Sequence, residues 1–434
     1  MSSGQRYLSG FGNHFSSESV VGSLPLDQNS PQNAPKGLYP EQLSGSAFTA
    51  PRAANLFSWL YRIRPSVMHG SFKPLKELTA RTFPQPKYLN PNQARWNPLP
   101  APTAQTTFID GLRTVCGNGS GPEARGLHIH LYSFNKADSN RYLMNADGDF
   151  LFVPQNGELT LATEFGIIEV KPGEIAVVPR GMKFQVRSKT DSVCSGYIGE
   201  NFGAPFQLPE LGPIGANGLA HRRHFLTPVA AYEDKEGAFE LIAKFGGELW
   251  SAELKASPLD VVAWHGNYVP YKYDLKLFNT MNTVSFDHPD PSIFTVLTSA
   301  SDTAGVANVD FVIFPPRWMV AEHTFRPPYF HRNCMSEYMG LIEGDYDAKA
   351  EGFLPGGGSL HGFYAAHGPD ADTYAKASSA QLSPRKIENT MAFMFESRAP
   401  YLLTDFAMKS AADGGLLQVD YQDVWQGFPK SFRP

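Results

Sequence analysis

Short runs of β-branched and aromatic residues recur along the 434-residue chain from residue 127 onward, and this pattern restricts its fold more than any other feature. Gly, Asn and Asp separate the runs, which include LHIHLYSF, GDFLFVPQ, EIAVVPRG and KFQVRS. Their spacing of roughly 8–12 residues is typical of β-sandwiches and barrels. The 39 Gly and 35 Pro residues also favour many short strands over long helices. The sequence therefore predicts a mainly β protein with few helices.

Two tandem β domains are the predicted organisation. The segment from residue 148 through residue 186 has the strand–turn–strand texture of a cupin-like jelly-roll β-sandwich. A second series of strands, among them SIFTVLT and TMAFMFES, begins near residue 280. We predict an N-terminal β domain with an irregular N-terminal arm over residues 1–280, followed by a C-terminal jelly-roll domain over residues 281–434.

One stretch departs from the β pattern. In AYEDKEGAFELIAKF, residues 231–245, the apolar side chains of Phe239, Ile242 and Phe245 recur at helical spacing. That spacing places them on one face of a helix, so a helix is predicted there.

Charge and cysteine content exclude several classes of partner. The 37 Lys and Arg residues against 42 Asp and Glu residues give a net charge of −5, which provides no basic surface for nucleic acid or for a membrane. No run approaches the about 18 apolar residues of a membrane-spanning helix. The three cysteines form no C-x-x-C pair, and the N-terminal residues lack the apolar core of a secretory signal. We therefore expect a cytoplasmic protein.

Two irregular segments predict association between copies of the chain. Residues 1–60 are rich in Ser, Gly, Asn and Pro but carry scattered aromatic side chains, and residues 200–220 are rich in Gly and Pro. Such segments cannot form a core alone, yet their apolar side chains gain from burial against a neighbour. We expect an obligate homo-oligomer.

Two histidines and one glutamate in the second β region provide the residue types of an iron site. His331, Glu337 and His367 match the two-histidine, one-carboxylate set that holds Fe(II) and leaves adjacent positions open. His331 and Glu337 are too far apart in a straight strand, and they point to diverging faces in a helix. The chain must therefore turn back between them, and Arg332-Asn333-Cys334 offers a turn. The geometry is feasible but not compelled, and separate core or surface histidines remain the alternative.

His128 and His130 form a second candidate. They point to the same face of a predicted strand, which is how the cupin metal motif begins. No glutamate follows four or five residues later, and Lys183 stands where that motif has its last histidine. We therefore predict a hydrogen-bonded pair that binds no metal.

Several long motifs resemble those of the homogentisate 1,2-dioxygenase family, and the resemblance extends from end to end. They are YLSGFGN at 7–13, FGAPFQLPELGPIGANGLA at 202–220, DVVAWHGNYVPYKYDL at 260–275, RPPYFHRNCMSEYMGLIEGDYDAK at 326–349 and GFLPGGGSLH at 352–361. The resemblance implies opening of the ring of homogentisate by O₂ to give 4-maleylacetoacetate, in phenylalanine and tyrosine catabolism. It also implies an Fe(II) cofactor and a hexamer built as a dimer of trimers.

The same resemblance assigns site residues on this chain. It implies that His331, Glu337 and His367 bind the iron and that His288 is the acid–base residue. It implies substrate binding by Tyr346, and it places Asn333, His361 and His367 beside bound substrate or oxygen.

The residues around His288 support the assigned role independently. His288 precedes Pro289-Asp290-Pro291, a rigid turn that fixes the imidazole near the mouth of the domain. A neutral histidine accepts a phenolic proton at neutral pH, whereas Asp287 is too weak a base. The alternative is a turn histidine bonded to Asp290 or to the backbone.

Two other functions remain open at the level of sequence. One is a different cupin-type metalloenzyme, such as an isomerase or hydrolase, which oxygen uptake distinguishes. The other is a non-catalytic, two-domain β binding protein, which iron content per chain distinguishes.

Overall fold

The computed structural model describes residues 6–190, 192–346, 352–430 and 432. These residues form 28 strands and four short α-helices, so the predicted mainly β class with few helices is confirmed. None of the helices in this part of the chain is both long enough and apolar enough to cross a bilayer. The helices are α1 (Lys76–Thr82), α2 (Phe108–Gly111), α3 (Ala371–Ser379) and α4 (Asp405–Met408).

The strands are mostly short and fall into five sheets within the described ranges. They are β1 (Tyr7–Ser9), β2 (Phe15–Glu18), β3 (Tyr39–Ser44), β4 (Phe57–Arg62), β5 (Lys73–Pro74), β6 (Ala94–Trp96), β7 (Leu112–Ser120), β8 (Arg125–Phe134), β9 (Arg141–Asn145), β10 (Asp149–Asn156), β11 (Leu159–Thr163), β12 (Gly166–Val170), β13 (Glu174–Val178), β14 (Lys183–Ser188), β15 (Cys194–Asn201), β16 (Leu226–Pro228), β17 (Glu236–Phe245), β18 (Glu248–Ala256), β19 (Val261–Gly266), β20 (Tyr271–Asp274), β21 (Thr295–Ala300), β22 (Ala307–Phe314), β23 (Arg317–Met319), β24 (Ser336–Glu343), β25 (Gly358–His361), β26 (Arg385–Ile387), β27 (Met391–Ser397) and β28 (Leu402–Leu403).

Three large sheets are stacked in layers. The middle sheet has the order β1-β16-β20-β13-β10-β15-β8-β7-β28. The outer sheet has the order β12-β11-β14-β9-β17-β18-β5, and the C-terminal sheet has the order β21-β22-β27-β24-β25-β6. A fourth sheet has the order β2-β19-β4-β3. Strands β2 and β3 of the N-terminal arm are therefore joined to β19, which lies later in the predicted N-terminal domain.

The middle sheet is buried on both faces, as strand β8 illustrates. Leu127 and Ile129 pack in a core that includes Phe395 of the C-terminal sheet. Tyr132 and Phe134 pack in a second core, which includes side chains of the outer sheet. Because successive side chains of a strand point to opposite faces, one strand supplies both cores. This explains why the central strands are apolar along their whole length rather than alternating.

The predicted helix at residues 231–245 is wrong. Residues 236–245 form β17, which pairs antiparallel with β18 and parallel with β9. Ile242 is fully buried, whereas Phe245 is exposed, so the apolar residues do not share a helical face. Pairing with strands on both sides satisfies the backbone of this segment and overrides the local helical spacing.

The two predicted domains exchange short strands. Strand β6 from the N-terminal region forms an edge of the C-terminal sheet by pairing with β25. Strand β28 from the C-terminal region pairs with β7 at the edge of the middle sheet. The division near residue 280 stays a prediction, and these two pairings show how closely the regions on either side of it are joined.

Candidate metal centre

Glu337 lies near the start of β24 and faces a cavity on one side of the C-terminal sheet. Its direct neighbours across the sheet are His361 in β25 and Glu396 in β27. Tyr338, the next residue, is fully buried and packs in the core between the C-terminal and middle sheets. The alternation of β24 therefore holds a carboxylate at the cavity while its neighbour anchors the strand.

His331 and His367 come to Glu337 from two loops that are joined by a short bridge. The amide of His331 donates to the carbonyl of His367 at 3.0 Å, and the amide of His367 donates to the carbonyl of His331 at 3.1 Å. Asn333 forms the expected turn between His331 and Glu337, since its Oδ1 accepts a hydrogen bond from the amide of Met335 at 3.0 Å. The chain therefore turns back between His331 and Glu337 as the sequence spacing requires.

The three side chains present potential ligand atoms within 4.8 Å of one another. His367 Nε2 lies 3.1 Å from Glu337 Oε2, and His331 Nε2 lies 3.8 Å from Glu337 Oε1. Ligands that bind one ion at 2.0–2.2 Å and at right angles lie about 3 Å apart. The separations are thus close to those that a single ion requires.

Backbone carbonyl groups fix the ring orientation of both histidines. His331 Nδ1 lies 2.8 Å from the carbonyl oxygen of Tyr329, and His367 Nδ1 lies 2.9 Å from that of Ala365. A carbonyl only accepts, so each Nδ1 carries the proton and a neutral ring presents the lone pair of Nε2. Metal-binding histidines in proteins are oriented in the same way. The donor set and its supporting hydrogen bonds therefore fit a divalent metal ion.

Electrostatics keep Glu337 ionised. Burial raises the pKa of Glu337, but His331 and His367 outweigh burial and hold that pKa well below its usual range. The Asn333 amide donates to Glu337 Oε1 at 3.0 Å and to Glu396 Oε1 at 3.3 Å. Burial, Glu337 and Asp310 together raise the pKa of Glu396 to about 8. At neutral pH the site thus contains one charged and one mainly neutral carboxyl group.

A cavity of about 440 Å³ opens beside this group, within the range of small-molecule sites. All seven side chains that the family resemblance assigned line it, namely His288, His331, Asn333, Glu337, Tyr346, His361 and His367. Apolar walls come from Phe294, Phe314, Met339 and Met394, and Arg317 and Arg332 add positive charge.

His288 is half-buried at this cavity. Its Nδ1 lies 2.8 Å from the carbonyl oxygen of Pro289, and its ring contacts Tyr329 with centroids 6.0 Å apart. Asp287, the preceding residue, has a φ of 72°, a conformation that is uncommon for a residue other than glycine. The backbone bond is the one named in the alternative, but His288 also faces the cavity, so the bond does not exclude a chemical role.

Tyr346 and His361 both line the cavity and have different packing partners. The Tyr346 ring packs against Phe314 at 5.7 Å between centroids. The His361 ring stacks on His367 at 4.2 Å and 8°, and its Nε2 lies 3.1 Å from the Tyr421 hydroxyl. Both arrangements hold rigid polar side chains at the cavity wall.

Sequence reasoning missed Glu396, Arg317 and Tyr421. Glu396 could have been identified from the sequence, because it is a carboxylate in the otherwise apolar strand MAFMFES. Tyr421 could not have been identified in this way, because its contact with His361 spans 60 residues.

Sequence reasoning about His128 and His130 was wrong in one respect. A carboxylate does accompany them, because Glu200 in β15 lies opposite His128 and its Oε2 lies 3.1 Å from His130 Nε2. It comes from a strand paired with β8 rather than from the same strand. The absence of metal at this pair stays a prediction.

Three solved structures illustrate the similarity of this chain to known proteins, each at low sequence identity. Protein Ylba from E. coli is 10% identical, with 75% of this chain and 98% of that chain covered and a TM-score of 0.31. A putative glyoxylate induced protein from Pseudomonas aeruginosa is 11% identical, with 76% and 98% covered and a TM-score of 0.25. A cupin-2 domain containing protein from Shewanella frigidimarina is 24% identical, with 17% and 70% covered and a TM-score of 0.16.

Fold and site together define a layered β protein with a candidate two-histidine, one-carboxylate metal centre beside a small-molecule cavity. Comparison with models of protein families shows the family to which the chain belongs. The N-terminal model of homogentisate 1,2-dioxygenase matches residues 6–275, and the C-terminal model matches residues 276–432. The chain belongs to the homogentisate 1,2-dioxygenase family, whose members are metal-dependent dioxygenases.

Proposed function

We propose that this protein is a ring-cleaving dioxygenase that converts homogentisate and O₂ to 4-maleylacetoacetate in phenylalanine and tyrosine catabolism. We propose that Fe(II), held by His331, Glu337 and His367, is its cofactor. The observation that carries the proposal is the convergence of these three ligand groups within 4.8 Å at a cavity in a chain of this family.

Each proposed ligand residue has a defined contribution. Neutral Nε2 atoms of two histidines and one carboxylate suit Fe(II) and leave the charge of the ion partly uncompensated. Fe(II) held by these residues would bring substrate and O₂ together, and it would permit the transfer of electrons between them, because their direct reaction is spin-forbidden. Asn333 holds Glu337 in place through the hydrogen bond at 3.0 Å.

His288 is proposed to move the proton of a substrate hydroxyl. The carbonyl of Pro289 accepts from Nδ1, so a neutral His288 has its lone pair on Nε2. This nitrogen would accept the phenolic proton, and the resulting phenolate would have a more electron-rich ring. The same nitrogen then returns the proton.

The cavity wall orients an aromatic acid. Phe294, Phe314 and Met339 provide an apolar surface for the ring, and Arg317 and Arg332 suit a substrate that carries a carboxylate. Tyr346, Asn333 and His361 are the proposed polar contacts to substrate or oxygen. The apolar lining also limits water near the reacting carbon atoms.

We further propose a cytoplasmic homo-oligomer, a hexamer arranged as a dimer of trimers, with the domain division near residue 280. Exposed apolar side chains in the N-terminal arm support association, because Val21, Leu26 and Phe48 are each more than four-fifths exposed in the single chain. Side chains of this kind gain from burial against a second copy.

Oxygen consumption tests the proposed reaction. Anaerobically Fe(II)-loaded protein is mixed with homogentisate in aerated buffer, and we expect equal amounts of O₂ and homogentisate to be consumed. The Glu337→Gln variant is the matched control. Conversion of homogentisate without O₂ uptake would indicate another cupin-type metalloenzyme, and binding without iron or turnover would indicate a binding protein.

A further inference from the structure

The segment Tyr421–Trp425 contacts the candidate metal centre through His361. Tyr421 is buried, and its hydroxyl oxygen lies 3.1 Å from His361 Nε2. The Trp425 ring packs on the Tyr421 ring with centroids 5.2 Å apart, and Trp425 Nε1 donates to the carbonyl of Gly368 at 3.1 Å. Gly368 directly follows the proposed ligand His367. The segment is therefore hydrogen-bonded both to a side chain that lines the cavity and to the loop that carries His367.

A buried arginine faces the ring of Tyr421. The guanidinium carbon of Arg95 lies 4.2 Å from the centroid of the Tyr421 ring. Burial lowers the pKa of Arg95 to about 10, so the guanidinium is still charged at neutral pH. A cation over an aromatic face stabilises negative charge in that ring. The Tyr421 hydroxyl is therefore a stronger hydrogen-bond donor than an isolated phenol.

The other ring nitrogen of His361 faces the metal centre. His361 Nδ1 lies 3.9 Å from Glu337 Oε2, and the ring is held parallel to that of His367 at 4.2 Å. A neutral imidazole has one nitrogen that carries a proton and one that carries a lone pair. The Glu337 carboxylate attracts an N–H group and repels a lone pair, so the proton belongs on Nδ1. Nε2 is then the acceptor, and the Tyr421 hydroxyl donates to it.

We propose that Tyr421 is a positioning residue, which acts through His361 to present an N–H donor to substrate or O₂ at the metal centre. Donation by the hydroxyl to Nε2 fixes the ring and polarises it, because hydrogen bonds in a chain strengthen one another. The Nδ1–H group then stabilises an oxygen atom that gains negative charge during the reaction. The effect on turnover rests on the proposed dioxygenase function, whereas the tautomer of His361 does not.

Nitrogen NMR tests the hydrogen bond without any turnover. The full-length protein is labelled with ¹⁵N in its histidine rings and loaded with Zn(II), which is diamagnetic and binds histidine and carboxylate ligands. The signals of His361 are identified by their absence in His361→Phe. We expect a protonated Nδ1 and an unprotonated Nε2 in the wild type, and a shifted Nε2 signal in Tyr421→Phe. A protonated Nε2 in the wild type, or an Nε2 signal that Tyr421→Phe leaves in place, would overturn the proposal.

Turnover tests whether the hydroxyl acts through His361. In Fe(II)-loaded protein with homogentisate, Tyr421→Phe should lower kcat about tenfold and His361→Phe about 100-fold, both with wild-type iron content. The double variant should be no slower than His361→Phe alone, because the hydroxyl then has no ring to act on. Losses that multiply in the double variant would indicate an independent, structural role and would overturn the proposal.

Tyr61→Phe is the matched control for the lost hydroxyl. Tyr61 is also buried, and its hydroxyl lies 3.4 Å from His265 Nε2, but it is outside the cavity. Its turnover should equal that of the wild type.

Failure of this proposal and failure of the proposed function give different results. A wild-type protein that consumes no O₂ with homogentisate would contradict the dioxygenase reaction, and the NMR measurement would still decide the role of Tyr421. If Tyr421→Phe does not fold, the tautomer of His361 in the wild type decides alone.

Discussion

His288→Phe separates a chemical role for this histidine from a structural one. The side chain is half-buried at the cavity, and phenylalanine replaces the imidazole with a ring of similar shape but no basic nitrogen. Such a variant loses the bond from Nδ1 to the carbonyl of Pro289, which lies on the adjacent residue. The fold should therefore tolerate the change, while the proposed proton acceptor Nε2 is lost.

The expected size of the effect follows from the role. Loss of a general base lowers turnover by about 10²–10⁴-fold, which corresponds to roughly 2.7–5.5 kcal/mol in activation free energy. Iron content should stay at the wild-type value, since His288 is not among the three groups whose ligand atoms converge. Homogentisate binding should also persist, because the apolar wall and the arginines remain.

The assay combines three measurements on one preparation. Iron per chain is measured by elemental analysis, homogentisate binding by calorimetry without O₂, and turnover by oxygen uptake. His69→Phe is the matched control, because His69 Nδ1 makes the same contact to the next carbonyl, at 2.7 Å, but lies outside the cavity. Its turnover should equal that of the wild type.

Two results would refute the reasoning about His288. Loss of iron in His288→Phe would make this residue a ligand rather than a proton carrier. Turnover near that of the wild type would indicate that His288 has a structural role in the turn and no chemical role.

Three further predictions address the metal centre, the buried residue His128 and assembly. Glu337→Gln should lose most bound iron and keep its β circular dichroism, because a neutral amide is a weak ligand beside two neutral imidazoles; iron at the wild-type level would contradict the ligand assignment. The pKa of buried His128 is about 3 in the folded protein and about 6.5 in the unfolded chain. The contribution of His128 to the stability of the fold is therefore complete above pH 6.5 and is lost as the pH falls, because the unfolded chain then binds the proton first. The free energy of unfolding, measured with urea between pH 6.5 and pH 4, should fall with decreasing pH, and His128→Gln should reduce this slope by up to about 1.4 kcal/mol per pH unit. An equal slope in both proteins would show that His128 is not buried in its neutral form. Sedimentation at micromolar concentration should give an oligomer, whereas a stable and fully active monomer would show that residues 1–60 and 200–220 need no partner.

Much of the fold could be predicted because strand periodicity is local. The runs LHIHLYSF and EIAVVPRG carry their own turns and apolar faces, and they became β8 and β13. The segment at residues 236–245 could not be assigned correctly, because its pairing with β9 brings together residues about 100 positions apart. Local spacing carries no information about such partners.

The candidate site, like the fold, could be predicted from the sequence only where it depends on local geometry. His331 and Glu337 lie on either side of a turn that Asn333 makes with Met335, so their meeting depends on local geometry. Glu200 and Tyr421 could not be found in this way, because they reach His130 and His361 across 70 and 60 residues. Contacts of that length depend on which strands pair, and that pairing is decided by the whole core.

The exchange of strands β6 and β28 between the two regions has a consequence for synthesis on the ribosome. Thr404, which follows β28, donates to the carbonyl of Thr114 in β7 across 290 residues. At roughly 5–20 residues per second, the edge of the nascent middle sheet stays open for about 15–60 s. An open edge strand is a template for pairing with other chains, so newly made protein needs protection during this interval. A stop codon shortly before residue 402 should accordingly yield an aggregating chain rather than a working enzyme with a shortened tail.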